Sequence, residues 1–458
     1  MNAPVSIGTD RQLFLDDFWI DHAKVVERRL HQPVPREIAI ASEKPWEGRG
    51  VCYMVAFPDG DGYRGWYRCD PPGGEVDAGS ITAYAVSDDG IHWEKPEVGV
   101  LEFEGSTDNN LVWTGPGINF APFRDDNPGA PDNERYKSIV RDKKVLIALA
   151  SPDGLHWHKM QEEPVLTDGP FDTLNIPFWD TWRGEYVMYT RGVAGTTPTP
   201  GKREYDIGIW KETYRWIRRT TSPDFINWGP MEIVDPGGAP YEDLYTNSCV
   251  QYERAPGTYL MFPSRFIAER SPDPDWPTPG LSDIVFMSSR DGINFDRSFM
   301  EAFVRPGPDF GNWHERGIYM ERGVLQTSPE EISLFGMENK DLPSMRIRRY
   351  TLRTDGFVSM NAGFDGGEFT THPMRFEGSE LELNYSTSAV GSVRVEIQDA
   401  DGNALPGFGL EDCPEKFGDE IEGIMTWNGG AGLGDLAGTP VRLRVALKDA
   451  DLYAFRFR

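Results

Sequence analysis

A chain of 458 residues exceeds what a single hydrophobic core ordinarily supports, so one large domain with a smaller companion is expected. Its 73 acidic against 46 basic residues give a formal net charge of −27, which repels phosphate backbones and anionic lipid surfaces and argues against nucleic-acid and membrane partners. Cys52, Cys69, Cys249 and Cys413 lie far apart without a paired spacing, so neither a zinc site nor a disulfide framework is indicated. No apolar run is long enough to span a bilayer, and the opening residues lack a leader pattern. A soluble cytoplasmic protein is expected, although a removed leader peptide would leave no trace.

Aromatic residues make up 12% of the chain, and its 49 glycines and 36 prolines fall in turn pairs such as Asp89-Gly90 and Asp153-Gly154. This composition predicts an all-β protein of many short strands joined by tight turns. One phrase recurs in chain order: Ser87-Asp88-Asp89-Gly90-Ile91-His92-Trp93, Ser151-Pro152-Asp153-Gly154-Leu155-His156-Trp157, Ser222-Pro223-Asp224-Phe225-Ile226-Asn227-Trp228 and Ser289-Arg290-Asp291-Gly292-Ile293-Asn294-Phe295, with a degenerate Arg353-Thr354-Asp355-Gly356-Phe357. Its aspartates step by 64, 71, 67 and 64 residues, too long for a solenoid repeat and suited to a four-stranded unit with loops. Five such units predict a five-bladed β-propeller. In each phrase, serine and aspartate cap backbone amides and glycine takes the left-handed position, a structural role shared by His92 and His156.

Strands precede each phrase. Blade 1 uses Tyr53 to Phe57 and Tyr63 to Arg68, and blade 2 uses Asn119 to Phe123, Tyr136 to Arg141, Val145 to Ala150 and Leu155 to Lys159. Blade 3 begins near Asn175 and continues through Tyr186 to Arg191, blade 4 begins near Asn247 and continues through Tyr259 to Arg265, and blade 5 uses Gly323 to Gln326 and Ile332 to Phe335. From about Phe369 the alternation in Leu381 to Tyr385, Val393 to Ile397 and Val441 to Val445 predicts a C-terminal β-sandwich, placing the propeller in residues 1–365 and the sandwich in 366–458. The sandwich either buttresses the propeller or binds carbohydrate; only Trp427 offers an aromatic platform.

A propeller has one obvious concave site, where inner strands begin and loops of every blade converge. Asp59, Asp125, Asp126 and Asp180 follow their inner strands and are read as turn residues at the other end. Glu47, Asp172, Glu242, Glu315 and Glu321 precede or open inner strands. Cleaving a glycosidic bond needs one protonated carboxyl to donate to the leaving oxygen and one ionised carboxylate as nucleophile or base. Asp172 and Glu242 are the preferred pair, with Glu47 and Glu321 as further catalytic members. Asn119, Asn175 and Asn247 at the inner-strand starts either contact sugar or tie blades together. Arg68, Arg141, Arg191 and Arg265 end second strands and return to the same side; they either pair with the acids or grip a substrate anion. Trp46, Tyr245, Trp313 and Tyr319, with Glu315, complete the expected sugar contacts, and Trp179 is a further candidate platform. No cofactor is required, and no ligand spacing demands the central metal ion that the architecture allows.

On its five-fold repeat the chain resembles the five-bladed propeller glycoside hydrolases, the superfamily of invertase, levansucrase, arabinanase and β-xylosidase. On Leu13-Phe14-Leu15-Asp16-Asp17 it resembles the bacterial proteins with an invertase-like N-terminal domain. The resemblance implies an axial pocket with three acids and exo-action on furanosides. The Asn-Asp-Pro-Asn-Gly motif of invertase is absent, and Arg124-Asp125-Asp126 falls after its strand, so individual roles do not carry over. Asp16 and Asp17 stand as a substitute nucleophile. The expected function is hydrolysis of a terminal, furanosidic sugar; the alternatives are a phosphorylase and a carbohydrate-binding propeller without catalysis.

Overall fold

The computed structural model describes residues 3–70, 81–115, 117–167, 169–196, 212–272, 275, 279–429 and 432–458. Its propeller is built by the predicted repeat. Blade 1 runs Val51–Asp59, Gly62–Cys69, Ile81–Ser87 and Leu111–Trp113; blade 2 runs Ile118–Arg124, Tyr136–Asp142, Val145–Ser151 and His158–Lys159; blade 3 runs Ile176–Asp180, Glu185–Ala194, Tyr214–Ser222 and Glu232–Ile233. Blade 4 is split into Val250–Gln251, Tyr259–Met261, Met287–Ser289 and Phe295–Asp296, with Leu244–Tyr245, Ser264–Ile267 and Leu281–Ile284 extending it as a separate ladder. Blade 5 runs Ile318–Gln326, Glu331–Glu338 and Arg346–Arg353, and its outermost strand is Val34–Ala41, paired from Ala41 opposite Arg346 to Val34 opposite Thr351. The ring is thus closed by a strand from near the N-terminus, which covers the edge that blade 5 would otherwise expose.

The recurring phrase works as its composition predicts. In blade 2 the Ser151 hydroxyl accepts from Gly154 N–H at 2.9 Å, and Asp153 Oδ1 accepts from the Leu155 and His156 amides at 2.9 Å. Burial opposes ionisation of Asp153, but these bonds and that of the His156 ring bring its pKa down to about 2. The His156 ring meets the second aspartate oxygen at 2.7 Å, as the Asn227 amide meets Asp224 at 2.7 Å. One nitrogen donor at one place is all the turn asks, which is why histidine and asparagine alternate there. The turn also ties blades: Trp66 of blade 1 donates to Gly154 O at 2.9 Å, and Tyr189 of blade 3 donates to Gly292 O at 2.6 Å.

The second unit is a ten-stranded sheet curled on its own core of Phe369, Leu383, Val395, Val445 and Phe455. The segments read as separate strands at Leu381 to Tyr385 and Val393 to Ile397 are one strand, Leu381–Asp399, bent where its pairing with Val441–Phe457 shifts register between Thr387 and Ser392. Its extent corrects the expected boundary. Val5–Gly8, Gln12–Leu13, Ile20–Lys24 and Glu27–Leu30 all pair with C-terminal strands, and Val358–Ala362 also belongs to this sheet. Period-2 alternation explains the Leu-Phe-Leu phrase: Phe14 enters the sandwich core, while Leu13 and Leu15 enter a cluster with Leu260, Phe286 and Met320 of blades 4 and 5. The fifth aspartate, Asp355, is buried at the same joint, bound to Arg254 at 2.9 Å, the Tyr252 hydroxyl at 2.8 Å and Arg11 at 3.4 Å.

Candidate active site

The inner strands do not run regularly into the bore. Register shifts interrupt them between Cys52 and Val55, Ile118 and Ala121, and Met320 and Val324. Tyr53, Asn119, Thr246 and Ser248 take positive φ of 53°, 57°, 46° and 45°. Non-glycine residues in this region are held there by their surroundings, and a bulge re-aims the side chain that follows. Tyr53, Tyr245 and Tyr319, from blades 1, 4 and 5, meet as a result. Ring centroids lie 6.3 Å apart for Tyr53 and Tyr319 and 5.4 Å apart for Tyr245 and Tyr319, and the Tyr53 and Tyr245 hydroxyls are 3.5 Å apart. Burial pushes all three phenols up, so they stay neutral.

Above these rings lies a cavity of about 130 Å³ lined by Asp172, Glu315, Arg191, Arg215, Arg316, Tyr245 and Tyr319, with Ser264, Phe266 and Ser282. Asp172 lies in a segment anchored by buried Phe171 and Leu174. Its Oδ2 pairs with Arg191, its carbonyl accepts from the Tyr245 hydroxyl, and the Arg191 guanidinium lies 4.9 Å over the Tyr245 ring. Its Oδ1 has no hydrogen-bond partner among the described residues. Glu315 pairs with Arg316 at 3.0 Å, and Arg215 faces Asp243 at 4.0 Å. The arrangement joins two carboxylates reachable from the mouth, each oriented by a guanidinium, to two neutral phenols, one of which, Tyr319, has a hydroxyl without a protein partner among the described residues.

Other sequence candidates lie elsewhere. Glu242, the expected partner of Asp172, does not line this cavity; it is held by Arg297 at 2.9 Å and Arg265 at 3.3 Å toward the outer strand of blade 4. Arg297 is 1% exposed and needs that charge. Glu47 is fully buried and spent on its own turn, accepting from the Glu43 and Lys44 amides at 2.7 and 2.8 Å, the Tyr67 hydroxyl at 2.7 Å and Lys95 at 2.7 Å. Glu321 is buried beside the tyrosines rather than in the cavity; desolvation pushes its carboxyl well above the usual range against the Tyr53 and Met54 amides, and its Oε1 has no partner among the described residues.

Two of the three asparagines tie blades, and Asn175 bonds within its own. Asn119 accepts from Arg68 at 3.0 Å and donates to Thr173 O at 2.9 Å, joining blades 1, 2 and 3; Asn247 donates to Tyr189 O at 3.3 Å; Asn175 is enclosed by Phe171 O, Thr173 O and the Thr190 hydroxyl. Of the arginines, Arg68 binds Asp70 at 2.9 Å, Arg265 binds Asp283 at 2.6 Å, and Arg141 donates to Lys143 O at 2.8 Å. Trp46 donates to Asn110 at 2.9 Å in the blade 1 cluster, and Trp313 donates to Gly307 O at 2.7 Å; neither lines the cavity. Trp179 lines a cavity at the other end of the propeller. Asp16 is held by Arg290 at 2.8 Å and Asp17 by Arg28 at 2.8 Å at the sandwich joint. Sequence reasoning missed Arg215 and Arg316. Arg316 stood beside Glu315, but nothing marked its left-handed φ of 58°.

Among the described residues, no group of three or more His, Cys, Asp and Glu side chains is arranged to hold a metal ion, and no helix is long and apolar enough to cross a membrane. No protein-family model matches the chain. Over 261 residues it is 23% identical to the A type blood N-acetyl-alpha-D-galactosamine deacetylase of Flavonifractor plautii, an alignment covering 56% of this chain and 26% of that protein, so the chain spans about a quarter of this curated relative. Solved structures similar to it include glycoside hydrolases. One is a glycoside hydrolase family 43 arabinoxylan arabinofuranohydrolase from Bacillus subtilis (TM-score 0.42, 13% identity, covering 89% of this chain and 95% of that chain). Another is a family 32 beta-fructofuranosidase of Bombyx mori (TM-score 0.40, 11% identity, 94% of each chain). Likenesses of this size assign no chemistry to the chain.

Proposed function

We propose that the cavity above the three tyrosines hydrolyses the terminal glycosidic bond of an oligosaccharide, with a furanosidic sugar as the expected substrate. The observation that carries this reading is the convergence of Asp172 and Glu315, far apart in the chain, on one small cavity whose floor is the Tyr245 and Tyr319 rings. A cavity this small accepts a chain end, and its aromatic lining offers a face for a sugar ring. Asp172, oriented by Arg191, and Glu315, oriented by Arg316, supply the two carboxyl groups, one as nucleophile or base and the other as proton donor to the leaving oxygen.

Asp172→Asn and Glu315→Gln, assayed on aryl furanosides and pyranosides, test it. Each variant is expected to lose about 10²- to 10⁴-fold in kcat, the usual worth of a positioned acid or base. Unchanged turnover in both, with the wild type active, overturns the assignment. Turnover that requires phosphate makes the enzyme a phosphorylase. Acetate release from N-acetylated sugars without glycosidic cleavage places it instead with the activity named for its curated relative.

A further inference from the structure

The other end of the bore carries a cavity larger than the one holding Asp172. Its volume is about 430 Å³, within the range of small-molecule sites. Its walls are Phe57, Phe178 and Trp179 from blades 1 and 3, its polar rim includes Thr181 and Gln251, joined at 3.0 Å, and Arg322 of blade 5 lines it. Arg322 is placed there by the irregularity of its own strand: it forms the lone parallel bridge to Val55 of blade 1, beside Gly323 at a φ of 145°.

Arg322 is unlike the arginines of the first cavity. Arg191, Arg215 and Arg316 each face a carboxylate. Among the described residues, the Arg322 side chain makes neither a hydrogen bond nor an ion pair: its Nε is buried without a partner, its guanidinium lies 5.9 Å from the Phe178 ring centroid, and Glu253 acts on it only through space. Desolvation pulls its pKa down to about 10. Arg124, the other cation of this cavity, is already engaged by Asp126 at 3.0 Å and Asp59 at 3.7 Å. Glu253 lines the same cavity without forming an ion pair with Arg322; a desolvated guanidinium without a direct ion pair is costly to keep, and its fork matches a carboxylate in bidentate geometry. Aromatic walls beside it suit the C–H faces of a sugar ring.

We propose that this second mouth is a binding site for an acidic monosaccharide unit, its carboxylate on Arg322 and its ring against Phe178 and Trp179. The two cavities share no lining residue, so this site is expected to bind independently of Asp172. The probe is D-glucuronate, titrated calorimetrically into the full chain. Saturable binding is expected, with D-glucose binding at least tenfold more weakly. Arg322→Met is expected to weaken glucuronate at least tenfold, and Thr181→Trp, an exposed rim substitution that fills the mouth while leaving Arg322 in place, is expected to do the same. Asp172→Asn is expected to leave Kd within twofold. The proposal is overturned if the folded wild type does not bind glucuronate, if glucose binds equally well, or if Thr181→Trp leaves Kd unchanged. Displacement of glucuronate by equimolar inorganic phosphate overturns the carboxylate assignment, and loss of binding in Asp172→Asn places the ligand in the other cavity.

Discussion

The two ends of the bore handle charge in opposite ways. At the Asp172 end each guanidinium of the cavity faces a carboxylate, and the acids stay reachable from the mouth: the Asp172 side chain is 46% exposed. Toward the other end Arg124 is paired, but Arg322 is desolvated without an ion pair, and burial drives the carboxyl of its neighbour Glu321 toward the neutral form. Pairing orients a carboxylate for chemistry; desolvation neutralises an acid or leaves a cation in need of an anion. One channel thus offers a site for bond cleavage and a site for capture.

The largest effect that sharpens this contrast is that of Asp172→Asn, expected to abolish most turnover while the protein stays folded, read by kcat beside a denaturant midpoint. Glu242→Gln runs the other way. Because Glu242 holds buried Arg297 away from the cavity, its loss is expected to cost about 2 kcal/mol of stability, the worth of a hydrogen bond to a charged group, while kcat stays within about twofold; a Glu242→Gln protein that is stable but inactive would restore the original pairing with Asp172.

Glu321→Gln probes the desolvated side. The folded state holds the Glu321 proton more tightly than the unfolded chain, so this group's contribution is complete below its ordinary value of 4.5 and is lost as pH rises toward the raised folded-state value. Glutamine removes that loss. The stability difference between variant and wild type should therefore grow with pH, exceeding about 1.4 kcal/mol, the equivalent of one pKa unit, in urea melts at pH 8 compared with pH 4; a pH-independent difference would mean that Glu321 is solvated. The smallest effect belongs to the rim. Asp153→Ala is expected to cost about 1 kcal/mol above pH 4, and less as pH falls toward its native value of about 2, since protonation removes the same bonds from the wild type.

Amino-acid order alone determined the blade count, the turn in every blade and the existence of a second β unit. Those features rest on contacts between residues two or three apart, such as Asp153 with Leu155 and His156, and on alternation along single strands. Tertiary structure alone decided that Glu315 rather than Glu242 shares a cavity with Asp172, that the strands between Val5 and Leu30 pair into the sandwich, and that the cavities at the two ends of the bore share no residue. These outcomes depend on the left-handed backbone at Tyr53, Asn119 and Thr246 and on which distant arginine claims each acid. A carboxylate's neighbours in space are set by register and ring closure, and neither is written in its neighbours along the chain.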